Sequence, residues 1–210
     1  MLIWIKNSLT PQEIRDKVLD PKSDFQQRLV EYLESARLGE FATGTMTDIE
    51  TKINKSNMND PTRISPTETL PEPVVQPCSA MCKECSQCVA SAEWWTKYLN
   101  TVDELVYKSN THSCIKGKVV KRCKARFPRP LFSSTMIDAS TGYLEQKKGE
   151  AWINWYSPSL TYLLRCNTDI SSLLSGTALK AIIGYVTDYI TKPPLKTHTI
   201  FQAVKTVFER

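Results

Sequence analysis

Tyr185 and Tyr189 stand four residues apart in the run Gly184-Tyr185-Val186-Thr187-Asp188-Tyr189-Ile190-Thr191-Lys192. On a helix such residues share a face, so the pair would set two phenols side by side with Lys192 within one further turn. A tyrosine hydroxyl can attack a phosphodiester and hold the product as a covalent phosphotyrosine. A neighbouring cation would favour the phenolate or hold a phosphate, although Lys192 reads equally well as a solvated lysine at a helix end. At about 100° per residue, Leu179, Ile183, Val186 and Ile190 form one apolar stripe and leave the tyrosines and Lys192 away from its centre. The helix therefore has a core face without them, and the pair remains open to catalysis or to packing.

Cysteine is the second chemistry-bearing residue type. Six of the seven cysteines, Cys78, Cys82, Cys85, Cys88, Cys114 and Cys123, are crowded into one stretch with His112 among them. A disulfide framework suits small secreted chains, whereas Met1-Leu2-Ile3-Trp4-Ile5 is too short and lacks a basic leader for a signal peptide, so tetrahedral zinc is the expected reading. The spacings Cys82-x2-Cys85-x2-Cys88 and His112-x-Cys114-x8-Cys123 both offer soft ligands, and neither matches a common finger pattern completely. The expected set takes His112, Cys114 and Cys123 plus one of Cys82, Cys85 or Cys88, with surplus thiols as the alternative. Cys166, at the end of an expected strand, reads as a buried small apolar residue.

The 27 Lys and Arg against 22 Asp and Glu give a formal +5, which permits polyanion binding without requiring it. The charge is uneven: 116–129 carries seven basic residues and no acidic one. Lys121, Arg122, Lys124 and Arg126 are the candidate phosphate contacts, and Trp94 or Trp95 the candidate base-stacking surfaces. An apolar content of 41% supports a core. No apolar run approaches the roughly 20 residues that span a bilayer, so a soluble intracellular protein without membrane association is expected.

The elements that would position these residues can be placed along the chain. Leu2-Ile3-Trp4-Ile5 reads as a strand, then Ser8 or Thr10 caps a helix that has Pro11 in its first turn and Glu13 behind it. Phe25, Leu29, Tyr32, Leu33 and Ala36 recur at helical spacing, with Gly39 as the stop. The Thr-, Ser- and Pro-rich stretch 42–77 reads as a linker or long loop. A helix is expected over about 91–110, a turn around 138–142, a strand over 159–165 and a helix over 176–191 that ends at Pro193-Pro194. The domains so drawn are 1–41, a partial strand-and-helix region; 42–77, the linker; 78–130, a basic Cys/His module; and 131–210, which holds the tyrosine helix. Asp169, after the expected strand, suits either a metal-ligating carboxylate or a turn cap near Ser171 and Ser172.

In order and spacing four segments resemble the replication-initiator domain of Helitron-type rolling-circle transposases, especially the fungal type. They are Met1-Leu2-Ile3-Trp4-Ile5, Cys123-Lys124-Ala125-Arg126-Phe127-Pro128-Arg129-Pro130, Leu163-Leu164-Arg165-Cys166-Asn167-Thr168-Asp169-Ile170 and the tyrosine run. The resemblance implies an α+β fold of the HUH endonuclease kind, an incomplete antiparallel sheet flanked by helices, with an inserted zinc-binding module. It implies DNA transposition in the nucleus, acting on single-stranded DNA. In that family Mg2+ or Mn2+ held by a His-hydrophobic-His strand polarises the scissile phosphate, and one of two helix tyrosines attacks it, leaving a 5′-phosphotyrosine and a free 3′ hydroxyl. Tyr185 and Tyr189 match the two nucleophiles. The histidine pair would lie just before Leu2, and this chain has no His-x-His run. The resemblance also implies a helicase domain in the full-length protein, yet no Gly-Lys-Ser or Gly-Lys-Thr phosphate loop occurs here. The expectation is an N-terminally truncated fragment, inactive alone; the alternative is a non-enzymatic zinc-stabilised nucleic-acid-binding module.

Overall fold

The computed structural model describes residues 6–20, 22–79, 81–82, 84–113, 123, 125–138, 144–171 and 176–191. Among them are six α-helices, one 3₁₀ turn and a two-stranded antiparallel sheet, an α+β arrangement. The expected strand Leu2–Ile5 lies outside the described residues. The chain divides into two compact units, Val18–Ser171 and Met1–Lys17 with Ser172–Arg210. No helix among the described residues is long and apolar enough to cross a membrane.

Helix α1, Pro11–Leu19, starts where its capping residues require. Thr10 N–H donates to Glu13 Oε2 at 2.7 Å, and Glu13 N–H donates back to Thr10 Oγ1 at 3.2 Å. Helix α2, Phe25–Ala36, follows the predicted periodicity and buries Leu33. It ends at Arg37, before Gly39, whose role is close approach: a Cβ there would meet Lys147 O and the Trp155 ring at 2.9 Å.

The larger unit is organised around α4, Ser86–Ser109. Trp94, Tyr98, Val102, Leu105 and Val106 recur three to four residues apart and are all buried, which makes one continuous apolar face. Trp94 stacks on Tyr98, with ring centroids 5.3 Å apart, and both meet Tyr162. Phe41, Ile49, Ile53, Ile153 and Tyr156 belong to the same core.

Two elements differ from expectation. The stretch read as a linker contains α3, Met46–Asn59, and a 3₁₀ turn, Pro66–Glu68. A reciprocal capping box starts α3: Asp48 N–H donates to Thr45 Oγ1 at 3.2 Å, and Thr45 N–H donates to Asp48 Oδ2 at 2.8 Å. Only Ile49 and Ile53 of α3 are buried, one turn apart, so a largely polar helix adheres to α4 by a narrow seam. The segment expected as a strand is α5, Pro158–Leu164. Ser157 Oγ accepts from Leu160 N–H, Pro158 occupies the first turn, and Arg165 closes the helix in the left-handed region at φ 54°. These end signals outweigh the β propensity of Thr161 and Tyr162. Strands β1, Met136–Ile137, and β2, Leu144–Glu145, pair across the expected turn, and residues 139–143 lie outside the description.

An ion-pair cluster fastens α4 to the segment after α3. Arg63 Nη1 donates to Glu104 Oε1 at 2.9 Å and Lys108 Nζ approaches the same oxygen at 2.8 Å, while the Glu104 side chain is only 7% exposed. Burial alone would raise the Glu104 carboxyl, but the hydrogen bonds and charges of Arg63 and Lys108 hold it below its usual range. A depressed carboxylate contributes stability above its unfolded pKa and loses it as pH falls through the folded value. Acid unfolding of Glu104→Gln is therefore expected to be shallower than that of the parent below about pH 4.5, measured as urea midpoint against pH. Parallel acid limbs would refute the assignment.

Candidate metal centre and the tyrosine helix

Four cysteines converge just ahead of α4. The sulfurs of Cys78, Cys82, Cys85 and Cys88 all lie within 4.8 Å of one another, and Cys78 Sγ is 3.5 Å from both Cys85 and Cys88. Tetrahedral zinc with Zn–S bonds near 2.3 Å sets its sulfurs about 3.8 Å apart, so the cluster is the right size for one ion. A polynuclear iron–sulfur cluster inserts its own iron and sulfide atoms and spreads its cysteines wider. Four thiolates complete the tetrahedron and leave no open position, the mark of a structural rather than a catalytic site.

Local chain geometry builds this centre. Cys85 is the N-cap of α4 and Cys88 is buried in its first turn. The Cys85 and Glu84 backbone N–H groups lower the Cys82 thiol to about 6, and the Cys88 N–H lowers Cys85. Unpaired N–H groups at a helix start stabilise thiolates in this way. Cys78, hydrogen-bonded among the thiols of Cys88, Cys85 and Cys82, is pushed up to about 12 and keeps its proton until an ion displaces it.

The structure thus brings Cys82, Cys85 and Cys88 together with Cys78, which the sequence reading left out, and not with His112 and Cys123. The signal was available: Cys78-x3-Cys82-x2-Cys85-x2-Cys88 holds four thiols within eleven residues, enough for a tetrahedron unaided. His112 and Cys123 meet separately, Nε2 to Sγ at 3.2 Å. Cys114 lies outside the described residues. Cys166 is exposed, not buried, because it follows the C-cap of α5.

Other candidates are distributed across the chain. Lys121, Arg122 and Lys124 fall outside the described residues, and Arg126 is exposed with a φ of 62°. Trp94 is buried and closed to base stacking, whereas Trp95 is 49% exposed and sits edge-on against it. Burial raises the Asp169 carboxyl, opposed by the charges of Arg129 and Lys148. Among the described residues the one group of three or more close metal-donor side chains is the four cysteines. Asp169 belongs to no such group. Lys148, unforeseen from sequence, is 1% exposed, donates to Ile153 O at 2.8 Å and is held down to about 8 by burial.

Residues Gly176–Thr191 form α6, the expected tyrosine helix. Positions 185 and 189 follow one another along one side of it. Their side chains, and Lys192, lie outside the description. Of the apolar stripe, Ile183 and Val186 are exposed. No family model, no curated protein and no solved structure matches this chain.

Proposed function

We propose that this chain is part of a Helitron-type transposase domain that nicks and transfers single-stranded DNA, with Tyr185 and Tyr189 as nucleophiles and a four-cysteine zinc centre stiffening the larger unit. The observation that carries the reading is the unbroken helix over Gly176–Thr191, which puts both tyrosine positions one turn apart on a single rigid element. The run they occupy is also one of the four segments whose order and spacing together resemble that family. In the transfer step the phenol oxygen bonds to phosphorus and the phosphorus–O3′ bond breaks. The departing 3′ hydroxyl gains the proton that the phenol loses, so nothing is oxidised or reduced. Attack by a 3′ hydroxyl on the phosphotyrosine reverses the step and rejoins a strand.

The His-x-His pattern that holds the phosphate-polarising ion in such nucleases does not occur in this chain, so this chain alone is expected to leave DNA uncut. The test joins a His-x-His strand in frame before Leu2. Labelled single-stranded oligonucleotides with Mg2+ or Mn2+ should then give a covalent adduct on a denaturing gel. Replacing both tyrosines by phenylalanine keeps the rings, removes only the attacking oxygens and should abolish the adduct with no more than about 0.5 kcal/mol of stability change.

One observation favours the second reading, a non-enzymatic nucleic-acid-binding module. Trp95 offers a half-exposed ring braced by Trp94 and Tyr98, the kind of platform on which bases stack. If the extended protein binds DNA and metal but forms no adduct, this reading replaces the first.

A further inference from the structure

His112 and Cys123 form a second soft-donor pair, distinct from the four-cysteine centre. Nε2 and Sγ are 3.2 Å apart. Two ligands on one tetrahedral zinc, at about 2.0 Å for nitrogen and 2.3 Å for sulfur, are separated by about 3.5 Å, so only a small opening of the pair would seat an ion.

The imidazole is oriented for this. Its backbone N–H donates to Trp152 O at 2.7 Å. Its ring lies flat on Phe127, with centroids 4.3 Å apart and planes 7° from parallel, and Phe127 is parallel in turn to Trp152. Arg129 caps the Phe127 face, its guanidinium carbon 4.7 Å from the centroid. A ring clamped by stacking keeps its nitrogen lone pair aimed in one direction, as the surroundings of a metal-binding histidine do.

The four-cysteine centre supplies all its own ligands, so His112 and Cys123 cannot be completing it. We propose that they are two ligands of a second zinc ion and that the chain holds two metals, not one. The residues between them, 113–122, carry Lys116, Lys118, Lys121 and Arg122. An ion at the pair would join the two ends of this basic stretch, whose composition suits phosphate contacts. The inference concerns the metal alone and stands or falls independently of the tyrosines.

The whole chain, produced with excess zinc and gel-filtered, should contain two equivalents by elemental analysis and native mass spectrometry. Replacing His112 and Cys123 together by alanine should lower this to one, and replacing Cys82 and Cys85 together should remove the other. Cobalt titration of the unmutated chain should fill two spectroscopically different sites, one with four sulfurs and one with mixed nitrogen and sulfur. A folded, zinc-replete wild type with one equivalent overturns the proposal, as does a His112→Ala/Cys123→Ala protein that keeps two. The wild-type stoichiometry is decisive by itself, so a variant that fails to fold gives the idea no shelter.

Discussion

Chelating zinc loaded into the four-cysteine centre is expected to release the segment ahead of α4 and its first turn and to lower the thermal midpoint by about 10 °C or more. Structural zinc supplies about 10–16 kcal/mol in zinc-finger peptides at neutral pH, while a whole domain is stable by about 5–15 kcal/mol. Even a third of the zinc contribution would be felt throughout the larger unit, because α4 carries the apolar face on which α3 and α5 pack. Cys82→Ser and Cys85→Ser should reproduce the effect, since each removes one of the two thiols already poised to ionise. Hydrogen exchange with and without a chelator locates the change. Equal protection of the amides over 78–90 in both states would show that the thiols serve as packing groups and hold no ion.

Asp103 is the second position where a single change should be severe. It is fully buried in α4, and its carboxylate accepts from the backbone N–H of Ala42 and Thr43, each at 2.8 Å, and from Thr43 Oγ1 at 2.6 Å. These bonds fix the approach to α3, where Lys52 Nζ donates to Thr43 O at 2.9 Å. Asp103→Ala would take the acceptor from three donors, on exposed Ala42 and half-buried Thr43, at a partly buried site. A donor orphaned away from water costs about 1–3 kcal/mol and water can reach part of this site, so the loss is expected to be about 2 kcal/mol or more by urea unfolding. Asp103→Asn should recover only part of it, because its amide turns a donor toward donors. A loss below about 1 kcal/mol for the alanine variant would mean that water enters and replaces the carboxylate.

How far the sequence announced this arrangement depends on where each signal resides. Helices α2, α4 and α6 were legible from apolar spacing and α1 from its Thr10 and Glu13 end signals, although α4 starts at Ser86, ahead of the expected 91, and α2 stops before Gly39. Helix α3 was hidden because two isoleucines carry its contact and the other residues look like loop; the cue lay in Thr45 and Asp48, a local device that composition obscures. In α5 the side chains favour a strand and only Ser157-Pro158 and the left-handed Arg165 reverse that preference. The metal centre was half legible. Cysteine crowding pointed to it, but partner choice depends on how the chain turns before α4, and that turn brings in Cys78 in place of His112. Asp103 could not have been found, since its donors lie about 60 residues away and nothing in its own neighbourhood marks it.

The spacing of the four thiols decides what kind of support their ion can give. Cys78, Cys82, Cys85 and Cys88 are separated by three, two and two residues, so the loops closed by the ion are nearly as short as loops can be. Cross-linking stabilises a fold by restricting the unfolded chain, and that gain grows with loop length; here it is close to its minimum. The contribution of a bound ion would then come from the metal–sulfur bonds and from the thiolates it holds against the N–H groups that open α4. An ion held there would act as a clasp on the start of one helix and not as a brace between distant parts of the larger unit. A disulfide engineered across the same residues would inherit the short loops without the bonds, and would be a poor substitute.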